Sequence, residues 1–165
     1  MMPSSVAKWL LFHLHTMRTD PISAAHFAGG NIDGYPDESN LKRQLAVDTI
    51  YRCLRCDLVE IDPAEWRQVY GLKDIEEFAR QLAHVDPFRR VLPSDTGYEQ
   101  HANEMMIWLA PELYNTRNGD ALIDRHSPAG LDLDDEERIA AFNVEICEIF
   151  ESNGVPWGSR PLVLS

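Results

Sequence analysis

The sequence predicts a mainly α-helical single domain, a bundle of about five helices with room for one small β element. Three observations carry that expectation. Apolar residues recur at three- and four-residue spacing through separate segments, the periodicity of helices that bury one face. Breaker pairs punctuate those segments at Asp20-Pro21, Asp62-Pro63, Asp86-Pro87 and Asn153-Gly154. Strand-like character is confined to Leu58–Ile61 and the extended tail Pro161–Leu164. A length of 165 residues fits one domain, and no repeat or linker divides it.

The first helix is expected over Val6–Thr19, capped by Ser4 or Ser5, with Val6, Trp9, Leu10, His13, Leu14 and Met17 on one face. Asp20 ends it, because a residue before proline is driven out of the helical region. Ile22–Phe27 reads as a short helical turn, and the breaker-rich Gly29–Pro36 as a loop. Pro36, Asp37 and Glu38 then suit the first turn of a second helix reaching Cys56, with acids near its positive end. Leu41, Leu45, Val47, Ile50, Tyr51 and Leu54 occupy more than one face of it, the pattern of a central, buried helix. Ala64–Tyr70 carries no clear pattern. Asp74 caps a third helix bearing Ile75, Phe78, Ala79 and Leu82. A fourth spans Thr96–Ala110. Asn115–Gly130 is polar and contains Asn118-Gly119 and Pro128, so it reads as a surface loop. The last helix lies within Leu131–Glu151, with Ile139, Phe142, Ile146, Ile149 and Phe150 on one face and Asn153-Gly154 as its C-terminal cap.

Charge narrows the function classes. The formal net charge is −12 and the isoelectric point near 4.8. Phosphate backbones and anionic membrane surfaces select cationic proteins, so nonspecific nucleic-acid and membrane binding are not expected. No apolar run approaches the roughly 18 residues of a spanning helix. Met1–Ser5 lacks a basic stretch ahead of an apolar one, so no secretory leader is expected. Three cysteines, an odd number, suit a reducing compartment. The expected location is the cytoplasm.

Chemical motifs are sparse. Cys53-Leu54-Arg55-Cys56 falls late in a helix, where the dipole does not favour a thiolate. Only Cys147 remains to complete a zinc set, so the pair is expected as buried thiols. His13 and His15 lie two apart and would point to different helix faces. No phosphate loop or nucleophile elbow is present. No catalytic residue, cofactor or metal site is therefore expected.

The acids of the last segment are the strongest feature. Eight of them stand against Arg138 alone, which is more than half of the chain's net charge. Asp134, Asp135 and Glu137 sit near a helix start, where acids are stabilising. Glu145, Glu148 and Glu151 lie near the end, where they oppose the dipole and repel one another at three-residue spacing. A stripe that costs local stability points to a basic partner, although the same acids also serve solubility. Asp33, Tyr35, Asp37 and Glu38 offer a second contact, tyrosine among carboxylates. Trp66 and Trp157 are candidate aromatic anchors.

In size, acidity, helicity and lack of catalytic motifs, the chain resembles the small cytoplasmic immunity proteins that bacteria pair with polymorphic toxins, as in contact-dependent growth inhibition. The resemblance implies a non-enzymatic monomer or weak dimer that covers the basic surface of one cognate toxin domain, often a nuclease. It transfers no site residue. A small metal- or carboxylate-dependent enzyme and an acidic adaptor of a regulatory complex are the competing expectations.

Overall fold

The computed structural model describes residues 1–158 and 161–163. Helix α1 (Ser4–Thr16) buries Val6, Trp9, Leu10 and Leu14, the face that the spacing predicts. Pro3, rather than a serine side chain, holds its N-cap, and the helix ends three residues before Thr19. Ile22–Ser23 is strand β1 rather than a helical turn. Ser23 Oγ accepts from the His26 N–H and opens α2 (Ala24–Phe27).

The next helix starts later than its acids suggest. Glu38 takes a left-handed backbone, with φ 56°, which places Pro36–Glu38 outside the helix. Ser39 caps α3 (Asn40–Arg55) instead, accepting from the Lys42 N–H at 3.1 Å. The helix is central, with Leu45, Ala46, Val47, Ile50 and Cys53 buried, although Leu41 faces solvent. Its polar row reads the main chain of the C-terminal segment. Arg52 donates to the Val155 and Pro156 carbonyls, and Asp48 accepts from the Leu162 and Val163 N–H groups.

The alternation at Leu58–Ile61 becomes strand β2 (Val59–Asp62). Its partner is not the tail. It pairs antiparallel with β3 (Glu112–Asn115), which also pairs with β1, giving the order β1-β3-β2. Residues 161–163 form no strand, and Leu164 lies outside the described residues. Between β2 and β3 come α4 (Trp66–Tyr70), α5 (Ile75–His84) and α6 (Tyr98–Leu109). Asp74 caps α5 by accepting from the Glu77 N–H at 2.8 Å, as expected.

The largest departure is α7 (Arg117–His126), which occupies the stretch that reads as a loop. Thr116 caps it, accepting from the Gly119 N–H. A Cβ on Gly119 would stand 2.1 Å from the Leu58 carbonyl oxygen. The glycine therefore serves close helix–strand packing, not a turn. Asp57 is held nearby with φ 53°, its carbonyl accepting from Thr116 Oγ1 at 2.5 Å and its carboxylate from Asn118 Nδ2 at 2.7 Å.

Helix α8 (Glu136–Ser152) packs Ile139, Phe142, Ile146 and Phe150 onto the core against α1 and α7. Asp135 caps it, and Asn153 with left-handed Gly154 ends it. The domain is mainly α with a small sheet. No helix among the described residues is long and apolar enough to cross a membrane.

Candidate functional site

The helix α8 acids divide into two groups. Asp135 serves the fold as N-cap and as partner of Arg138 at 3.3 Å. Glu145 does the same: Arg125 donates to its Oε1 at 2.9 and 2.6 Å, and His126 Nε2 meets its Oε2 at 2.6 Å. Hydrogen bonding from Arg125, then from His126, holds the Glu145 carboxyl below its ordinary value. Glu145 thus does not stand unpaired against the dipole, as its position in sequence suggests. It ties α8 to α7. Asp134, Glu137, Glu148 and Glu151 are exposed, and none has an ion-pair partner among the described residues. They remain a surface stripe.

The loop residues are less available than their types imply. Asp37 pairs with Lys42, whose buried ammonium also meets the Gly30 carbonyl. Asp37 therefore pins its own loop. Tyr35 is half-buried against the core and bridges to Ile32. Asp33 and Glu38 are exposed. Trp66 belongs to the core, 5.9 Å from the Phe78 ring. Trp157 is half-buried, with the Arg52 guanidinium 4.8 Å from its ring centre.

Cys53 and Cys56 are buried. Burial pushes the Cys53 thiol far above its ordinary value and Cys56 to about 11. Both remain protonated thiols at neutral pH. Among the described residues, no group of three or more His, Cys, Asp or Glu side chains is placed to hold a metal ion.

A second acidic surface has no counterpart in the sequence reading. The strands turn Val59, Ile61, Leu113 and Ile22 inward, leaving Glu60, Asp62, Glu112 and Tyr114 on the outer face. The register sets Glu60 opposite Tyr114 and Asp62 directly opposite Glu112. Like charges facing each other across a strand pair are destabilising. Burial, then a hydrogen bond to Glu60, raises the Tyr114 hydroxyl above its ordinary value. Tyr70 on α4 is raised by burial and by the charges of Asp62 and Glu112. Tyrosines and carboxylates thus share one surface. Its signal in sequence is the alternation Val59-Glu60-Ile61-Asp62, matched by Glu112-Leu113-Tyr114. Nothing local says that these two stretches pair.

Beside this face lies a cleft of about 440 Å³ between the end of α1, the sheet and α7. Asp62, Tyr114, Asn115 and Asp120 line it, with Met17 and Arg18 on the α1 side. Arg18 is tied to Asp124 at 2.6 Å.

No protein-family model, curated protein or solved structure matches this chain.

Proposed function

We propose that this chain is an immunity-type inhibitor. It binds a basic toxin domain, most naturally a nuclease, and neutralises it by covering the cationic surface that would otherwise meet phosphates. The observation that carries the reading is Asp62 facing Glu112 on the outer face of the sheet. An opposed pair of carboxylates opposes folding, and a cationic partner relieves it. The exposed α8 acids Glu137, Glu148 and Glu151 widen the negative field. Such a field steers a basic partner and raises its association rate towards about 10⁸–10⁹ M⁻¹s⁻¹ at low salt. A nuclease is the favoured partner because binding phosphates requires Lys and Arg at its active surface.

The test is binding to any nuclease toxin domain whose gene is found to adjoin that of this chain. Calorimetry across a salt series should give a 1:1 complex whose affinity falls steeply as salt rises. Nuclease activity should disappear on titration to equivalence. A complex indifferent to salt, or full nuclease activity with the chain in excess, excludes the reading.

A further inference from the structure

We infer that the outer face of α6 is a self-pairing surface, on which a second copy of this chain docks with its own α6 antiparallel to the first.

Helix α6 is held by little of its own fold. Trp108 is the one buried residue in its 12, and no side chain caps its start at Gly97. A helix of this length draws most of its stability from packing an apolar face. The apolar face of α6 is instead open. Tyr98, Ala102, Met106 and Leu109 follow one another at spacings of four, four and three, so they stand in a row along one side. Tyr98, Met106 and Leu109 are 37%, 48% and 50% exposed, and Ala102 is exposed as well. Single exposed apolar residues are ordinary, but a contiguous row marks an interaction surface.

Charge identifies the occupant. Trp108 Nε1 donates to the Leu82 and Val85 carbonyls at 3.1 and 3.0 Å. The connector that carries Arg89 and Arg90 therefore leaves from the C-terminal end of α6. Both arginines are exposed, and neither has an ion-pair partner among the described residues. Glu99, exposed and equally unpaired, stands at the opposite end of the helix. A basic partner, the kind that the acidic faces select, would be repelled by the two arginines. A second copy would not. A two-fold axis across α6 sets the cationic end of each copy against the acidic end of the other, the self-complementarity that an isologous contact needs. The same arrangement opposes the two helix dipoles. It also places Tyr98 across from Leu109 of the second copy and Ala102 across from Met106, so a small side chain meets a large one and no gap remains. Four side chains from each copy bury less than the roughly 1,200 Å² of a stable interface, so the pairing is weak and reversible.

The test is sedimentation velocity of the whole chain over a concentration series, at about 0.15 M salt, where the Debye length of about 8 Å screens the repulsion between two acidic copies. A monomer–dimer equilibrium is expected. L109E and A102E should each weaken it about tenfold or more, as expected for residues at the centre of an interface. Circular dichroism should show their helix content unchanged. L41E and V69E, at apolar positions exposed elsewhere, should leave the equilibrium as it is. E99K alone and R89E with R90E should each weaken pairing, and the three changes together should restore it. A chain that sediments as a monomer at every concentration overturns the inference. So does a dimer that L109E leaves intact, or a combined charge reversal that pairs no better than its parts. If the chain stays monomeric while L109E abolishes binding to a toxin domain, the row belongs to that other protein and the second copy is excluded.

Discussion

Glu145 Oε2 lies 2.6 Å from His126 Nε2, and Arg125 grips the other oxygen of the same carboxylate. One acid thus closes α8 onto the end of α7. Two neighbouring acids of one helix face therefore have different duties. Glu145→Gln is expected to destabilise the fold by about 1–2 kcal/mol, kept modest by partial exposure of the pair. Glu148→Lys, at an exposed position without an ion-pair partner among the described residues, is expected to stay within about 0.5 kcal/mol. Urea unfolding of the two variants separates them. Equal midpoints would remove the structural role assigned to Glu145.

Acid should unfold the protein through His13. The ring is buried, stacks on Phe27 at 4.8 Å, and both its nitrogens lack hydrogen-bond partners among the described residues. Burial, opposed by the nearby Gly29 carbonyl and aided by the like charges of His26 and Lys42, pushes the imidazole down to about 4 from 6.5. The unfolded chain therefore takes up a proton below about pH 6.5 that the folded chain refuses. Stability from this residue is full above that pH and declines as pH falls, by about 3 kcal/mol once pH 4 is reached. Glu145, with its lowered carboxyl, adds a further loss below its ordinary value of 4.5. His13→Leu should flatten the slope between pH 6.5 and 4.5 in chemical denaturation. An unchanged slope there would assign the acid sensitivity to other groups.

Gly119→Ala should be severe for a surface-looking sequence position. A methyl group placed 2.1 Å from the Leu58 carbonyl forces α7 off the sheet. The expected cost is about 3 kcal/mol, the upper end of overpacking, and it exceeds the helix-propensity gain of about 1 kcal/mol. Thermal unfolding that improves in the alanine variant would show that propensity wins.

The contrast between α8 and α7 explains what could be read from sequence. Ile139, Phe142, Ile146 and Phe150 repeat at helical spacing over a long segment, and they are buried as the spacing requires. Helix α7 has the weaker signals Leu122, Ile123 and His126, behind an Asn118-Gly119 pair that mimics a turn. Its glycine answers to Leu58, far away in sequence, so no local pattern reveals it. The same limit hid the acidic sheet face. Glu60 and Asp62 alternate visibly with apolar neighbours, but the pairing of Asp62 with Glu112 spans a gap filled by three helices. It also hid the pairing of Glu145, because Arg125 and His126 sit in the stretch that reads as loop.

Asp62→Lys makes the sharpest statement about whether the sheet face exists for binding. In the folded chain the new ammonium would stand opposite Glu112, converting a like-charge pair into an opposite-charge pair. Cross-strand pairs of this kind contribute about 0.2–1 kcal/mol, so the variant should be slightly more stable than the parent. Towards a basic partner the same change reverses a charge at the centre of the proposed surface. Association should slow and the salt dependence should weaken, while dissociation changes less. Stability by urea unfolding and association rate by stopped flow should therefore move in opposite directions. A control with Glu148→Lys and Glu151→Lys tests the α8 stripe alone. If that control slows association as much as Asp62→Lys does, the negative field is diffuse. If Asp62→Lys gains stability and loses nothing in association at low salt, the sheet face is not where the partner binds.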